Sequence, residues 1–134
     1  AQSYRRAGSF NTALIQFQKV ITSYPNSIYT PSSQYFIGQT YYESENYSQA
    51  ITAFQATPDF YPLATWPEED RQIAPAAQFY IGYCHEQLSQ WSDALIAYQV
   101  VIDQYPAGTW SDGALIAEDA QERIDYINDH NLTS

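Results

Sequence analysis

SSQYFIGQTYYESENYSQAITAFQATPDFYP, residues 32–62, aligns without a gap with AAQFYIGYCHEQLSQWSDALIAYQVVIDQYP, residues 76–106. A third, shorter version, AQSYRRAGSFNTALIQFQKVITSYP, opens the chain at residues 1–25. Ala13, Ala50 and Ala94 correspond, as do Phe17, Phe54 and Tyr98, and Pro25, Pro62 and Pro106. Gly38 pairs with Gly82, and Ala1 falls at the same register. The copies are offset by 37 and then by 44 residues, and the difference lies between Pro62 and Pro75. Self-similarity at such a period marks a repeat architecture, in which one supersecondary unit recurs.

Within each copy the apolar spacing is helical. Phe79, Ile81, Gly82, His85 and Leu88 mark one helix. Ala94, Leu95, Tyr98, Val101 and Ile102 mark a second, at i, i+1, i+4, i+7 and i+8. The polar stretch SQWS between them reads as a turn. The spacing therefore predicts a helix–turn–helix hairpin, with its second helix capped by Ser48 in copy two and by Ser92 or Asp93 in copy three. Pro25, Pro62 and Pro106 are expected to end that helix, since proline cannot continue it. Pro31 and Pro75 suit the first turn of the next helix, where a missing N–H costs nothing. Gly38 and Ala50 are expected where the two helices cross closely, and Phe54 and Tyr98 between hairpins. One hairpin cannot bury both of its faces, so neighbours must stack.

The reading is a single all-α domain over 1–134, with three hairpin copies and a closing helix. Residues 1–25 are a truncated repeat lacking half of its first helix. Residues 32–62 and 76–106 are full repeats, separated by an acidic, Trp-containing insertion at 63–75. Pro58 is expected to interrupt the second helix of copy two near Thr57. Residues 111–129 read as a capping helix started by Ser111 or Asp112. Glu118, Asp119, Glu122, Asp125 and Asp129 give it the polar outer face that a stack needs at its end.

Composition narrows the function. The net charge is −10, and all fifteen acids lie after residue 40, whereas Arg5, Arg6 and Lys19 stand before it. Duplex nucleic acid needs a basic surface, so it is excluded as a partner. No apolar run reaches the length that spans a bilayer, so no direct membrane insertion is expected. The thirteen Tyr, six Phe and three Trp argue for a packed fold, because disordered chains are poor in aromatics. The start AQSYRR reads as a cut inside a longer chain, with targeting information removed.

Catalytic chemistry finds little support. His85 is expected as a packed, hydrogen-bonded core histidine and His130 as solvated. Cys84 reads as a small buried thiol, since adjacent helical residues point about 100° apart and His85 cannot serve it as a base. No metal spacing and no phosphate loop appear, so no metal, cofactor or catalytic residue is assigned. PEED, residues 67–70, reads as a solvated acidic loop.

The series Gly38, Tyr41, Ala50, Phe54 and Pro62 resembles the tetratricopeptide repeat (TPR) at its signature positions. Copy three matches it with Gly82, Ala94, Tyr98 and Pro106, but has His85 where an aromatic is usual. The junction YPNSIYTP, residues 24–31, resembles a bacterial envelope subgroup. That subgroup includes the Tol–Pal-associated periplasmic TPR domain and the TPR lipoprotein of outer-membrane assembly. The resemblance implies a right-handed superhelix whose inner groove is lined by the first helix of each hairpin. Carried over one by one, the partner-binding groove is Gln2, Arg5 and Arg6, then Tyr35, Gln39, Tyr42 and Glu43, then Phe79, Tyr83, Glu86 and Gln87, with a contribution from Arg123. The basic clamp of chaperone-binding TPR domains is absent from these positions. The resemblance thus implies a non-catalytic scaffold in the periplasm or envelope that binds a protein or peptide partner, with a cytoplasmic setting as the alternative. Two other functions compete: a self-assembling or spacer unit, joined head to tail through its basic start and acidic end, and a small-molecule-binding TPR domain.

Overall fold

Among the described residues the chain forms six α-helices and no strand. They are α1 Gln2–Ser23, α2 Thr30–Glu43, α3 Tyr47–Phe60, α4 Ala74–Gln87, α5 Trp91–Gln104 and α6 Ile116–Asp129. The structure, a computed structural model, describes residues 2–132 and the side chains from residue 8 onward. Each helix packs on the next, while α2 also meets α4 and α4 also meets α6. The result is an all-α solenoid of antiparallel hairpins: α2, α4 and α6 form one layer, and α1, α3 and α5 the other.

The prolines act as the sequence implies. α1, α3 and α5 end at Ser23, Phe60 and Gln104, each two residues before its proline. Pro31 and Pro75 sit in the first turns of α2 and α4. Pro58 does not interrupt α3, which continues to Phe60. Only the bond back to the Phe54 carbonyl is lost, and the Tyr61 N–H donates to the Thr57 carbonyl at 2.8 Å beyond it. The expected side-chain caps are also absent. Asn46 and Gln90 occupy the N-cap positions of α3 and α5 without a side-chain hydrogen bond.

The hairpins close by a ring seated on a glycine. A Cβ on Gly38 would lie 2.5 Å from Phe54 Cδ1, and one on Gly82 would lie 2.7 Å from Tyr98 Cε1. The close approach is therefore between glycine and aromatic ring, not between Gly38 and Ala50. Phe54, Tyr98, Ala50 and Ala94 are all fully buried. A second device recurs at the same register. Gln34 Nε2 donates to the Ala53 carbonyl at 2.9 Å, and Gln78 Nε2 donates to the Ala97 carbonyl at 3.2 Å. Each glutamine ties the first helix of its hairpin to the backbone of the second.

The two junctions after Pro62 and Pro106 are versions of one loop. Thr65 bridges to Gln72 and Thr109 to Leu115. The Ile73 N–H donates to the Ala64 carbonyl and the Ile116 N–H to the Gly108 carbonyl, both at 3.0 Å. The insertion at 63–75 is thus not unique. Residues 109–115 repeat it, so the last helix starts at Ile116 rather than at residue 111, and neither Ser111 nor Asp112 caps it. Each loop carries a tryptophan onto the preceding hairpin. Trp66 packs on Tyr35 and Phe36, with centroids at 5.1 and 5.6 Å. Trp110 packs on Phe79 and Tyr80, at 5.3 and 6.0 Å.

This alignment also gives α6 a register. IAEDAQERIDYIN, 116–128, matches IAPAAQFYIGYCH, 73–85, at Ile, Ala, Ala, Gln, Ile and Tyr. α6 is therefore built like the first helix of a hairpin, with Asp125 in place of the glycine. Its Gln121, at the register of the two clamps, donates to Asp125 at 3.0 Å instead of to a second helix.

Copy one departs from the hairpin pattern. Gly8 stands at the register of Glu45 and Ser89, the turn residues of the other copies, whose φ values are 66° and 58°. Here α1 runs straight through Gly8. As a consequence Ala13 and Phe17 are only half-buried, whereas their counterparts in the other copies are fully buried.

Candidate functional site

Not all of the residues expected in the groove reach its surface. Arg5 and Arg6, with Gln2, fall among residues 1–7, whose side chains lie outside the described residues. Tyr35 is in the core at 7% exposure, between Phe54 at 5.4 Å and Trp66 at 5.1 Å. Burial pushes its hydroxyl well above the usual tyrosine range. Phe79 is half-buried, wedged between Tyr98 at 5.3 Å and Trp110 at 5.3 Å. It works as packing beneath Tyr83, on which it stacks at 6.4 Å.

Glu86 is the largest departure. It is buried, and it holds three elements together rather than facing a groove. The Tyr98 hydroxyl of α5 donates to it, and Arg123 of α6 donates Nε to Oε2 at 2.9 Å and Nη2 to Oε1 at 2.5 Å. Burial, with Glu86 beside it, raises the Tyr98 hydroxyl, and the hydrogen bond to Glu86 raises the Arg123 guanidinium. A buried carboxylate is tolerated because its oxygens are met by these donors.

What reaches the surface is a line of rings across four helices. Tyr47 at the start of α3 meets Tyr42 of α2 at 5.9 Å, edge to face. Tyr42 meets Tyr83 of α4 at 5.8 Å and Tyr80 at 5.5 Å. The Arg123 guanidinium lies 5.8 Å from the Tyr83 ring and 4.7 Å from the Tyr126 ring of α6. Tyr126 in turn packs on His130 at 4.1 Å. Tyr42, Tyr47 and Tyr83 are half-buried and Tyr126 is exposed, so the strip presents faces and hydroxyls together. Burial, with Tyr83 and Tyr80 beside it, raises the Tyr42 hydroxyl, so it stays a neutral donor.

Glu43 and Gln87 are exposed. Gln39 is half-buried next to Tyr80, and its Oε1 is buried without a partner. Tyr47, Tyr80 and Tyr126 were not among the expected residues. Tyr126 was within reach of sequence comparison, because it falls at the register of Tyr83 once the junction loops are aligned. Tyr47 and Tyr80 carried no such signal. They enter only because the hairpins stack and bring α2, α3 and α4 together at the turns.

The remaining chemistry-bearing groups are unremarkable. Cys84 is fully buried, and burial pushes its thiol up to about 12. His85 is half-exposed, not a core residue, with Nδ1 2.7 Å from Gln90 Oε1 at the hairpin turn. Glu69 of the 63–75 loop pairs with Arg71 at 3.3 Å, and Arg71 lies over the Trp66 ring at 5.2 Å. No metal-ligating cluster occurs among the described residues. On the opposite face a cleft of about 470 Å³ runs between α3 and α5, floored by Ile81, Ile96 and Val100.

The tetratricopeptide-repeat family model matches residues 1–27 and 76–107, the first and third copies. The match supports a tetratricopeptide repeat protein. The second copy, outside the matched segments, folds with the same ring-on-glycine contact and the same glutamine clamp as the third. No curated protein sequence matches the chain. Repeats of this kind generally mediate protein–protein interaction.

Proposed function

We propose that this TPR chain is a non-catalytic scaffold that receives a segment of a partner protein along the Tyr47–Tyr42–Tyr83–Tyr126 strip. One observation carries the reading. These rings lie side by side on four helices without being consumed by the core, which is instead filled by Tyr35, Phe54 and Tyr98. Tyrosine supplies rigid contact area and one hydrogen bond per ring, which suits an extended or helical peptide. With so few repeats the surface is small, and the affinity expected is about micromolar, near −8 kcal/mol. The setting proposed is a bacterial envelope complex in the periplasm, on the resemblance of the YPNSIYTP junction alone.

Self-assembly through the two ends is the weaker reading. α6 has the register of a first helix, but Asp125 occupies the position where a ring must seat. Docking α6 on α1 of a second copy in hairpin register would set that carboxylate against Phe17.

Affinity capture from a bacterial envelope extract tests the proposal, with the Tyr42→Ala/Tyr83→Ala variant beside the natural chain. A protein retained by the natural chain and lost by the equally helical variant is the expected result. Identical capture by both would remove the strip from the account.

A further inference from the structure

We infer that the segment received on this strip is cationic, presenting Arg or Lys side chains to the tyrosine faces; this rests on the strip being the docking surface. The first ground is charge. Glu43 is exposed beside Tyr42, and its carboxylate acts on the Tyr80 hydroxyl. Glu45 acts in the same way on Tyr47. At the other end Glu122 and Asp129 are exposed and lie four and three residues from Tyr126, on the same side of α6. Carboxylates therefore border the strip at both ends.

The second ground is the state of the cations. Arg123, the guanidinium within the strip, is held by Glu86, and Arg71 is held by Glu69. Lys19 lies on α1, which packs on α2 but carries no ring of the strip. Among the described residues the strip thus offers no uncommitted cation to an acidic partner, and it carries a field that draws a basic one.

The third ground is a demonstration inside the molecule. Arg123 already lies over two of the strip's rings, Tyr126 and Tyr83. Their faces therefore accept a guanidinium in the geometry that favours cation–π attraction.

The test uses synthetic peptides that alternate Leu with Arg, with Gln or with Glu, titrated against the whole chain by fluorescence anisotropy at low and high salt. The Arg peptide is expected to bind about tenfold more tightly than the Gln peptide, through ring faces and carboxylates together. That advantage is expected to shrink at high salt and in the Glu43→Gln/Glu45→Gln variant, while Tyr42→Ala/Tyr83→Ala loses both peptides. Equal binding of the Arg and Gln peptides, or tighter binding of the Glu peptide, would overturn the cationic partner and leave the strip standing. Binding of the Arg peptide that survives loss of Tyr42 and Tyr83 would overturn both, as would failure of every peptide to bind.

Discussion

Glu86 of α4 and Arg123 of α6 meet through two hydrogen bonds, one at each carboxylate oxygen, at 2.5 and 2.9 Å. The pair joins the last helix to the third repeat, with the Tyr98 hydroxyl as a third donor. Removing Arg123 leaves a carboxylate buried at 3% side-chain exposure. Arg123→Ala should therefore cost about 3 kcal/mol in urea unfolding, the low end for a broken buried pair because the arginine is one-third exposed. Glu86→Leu with Arg123→Met and Tyr98→Phe should recover most of that loss, because no buried polar group is then left unpaired. A cost under 1 kcal/mol for Arg123→Ala would mean that α6 is held by Ile116, Ala120 and Ile127 alone.

The ring seated on glycine sets a second expectation. Gly82→Ala places a Cβ against the fully buried Tyr98 ring, which has no free space to move into. The cost should be about 1–3 kcal/mol, as for overpacking elsewhere. Gly82→Ala combined with Tyr98→Leu should cost less than the sum of the two singles, because the clash is then absent. Additive losses in thermal unfolding would place the strain somewhere else.

Gly8 behaves differently. A Cβ there meets nothing, and α1 is helical on both sides of it. Gly8→Ala should therefore stabilise the chain by about 0.5–1 kcal/mol and raise its helical content. Destabilisation would show that Gly8 adopts the positive φ of Glu45 and Ser89, so that the chain turns there as in the other two copies.

The buried thiol predicts a pH dependence. The Cys84 thiol has its pKa raised by burial from about 9 to about 12, so the folded state holds its proton where the unfolded state releases it. Its contribution is complete below about 9 and is lost as pH rises toward about 12. Urea midpoints should fall across that interval, and Cys84→Ala should flatten the first part of the fall, before the tyrosines ionise. A thiol that reacts freely with a disulfide reagent at pH 8 without denaturant would contradict the burial.

Much of the architecture was legible because it repeats. The alignment of Ala50 with Ala94, Phe54 with Tyr98 and Pro62 with Pro106 places the helices and their ends. Helical spacing is a local property, and it carries that far. The equivalence of Trp66 and Trp110 was harder to see, because the two loops differ in length and WSDGALIA can be read as the start of a helix. Glu86 was misplaced for another reason. Its position in the repeat faces the groove, but its partner Arg123 is 37 residues away, at a register where the other copies carry the rings Phe36 and Tyr80. Burial of Tyr35 likewise depends on Trp66, a residue from the next junction. Groove position follows from register, whereas exposure follows from what the neighbouring hairpin lays on top.

The central claim is that partner recognition takes place on the tyrosine strip and not on the cleft between α3 and α5. Backbone amide shifts recorded while the protein captured in the envelope experiment is titrated onto the labelled chain measure this directly. The account predicts that the largest changes fall at Tyr42, Glu43, Tyr47, Tyr83 and Tyr126, with Ile96 and Val100 unmoved. Changes concentrated at Gln55, Ile96, Val100 and Tyr105 would place the partner on the opposite face and contradict it.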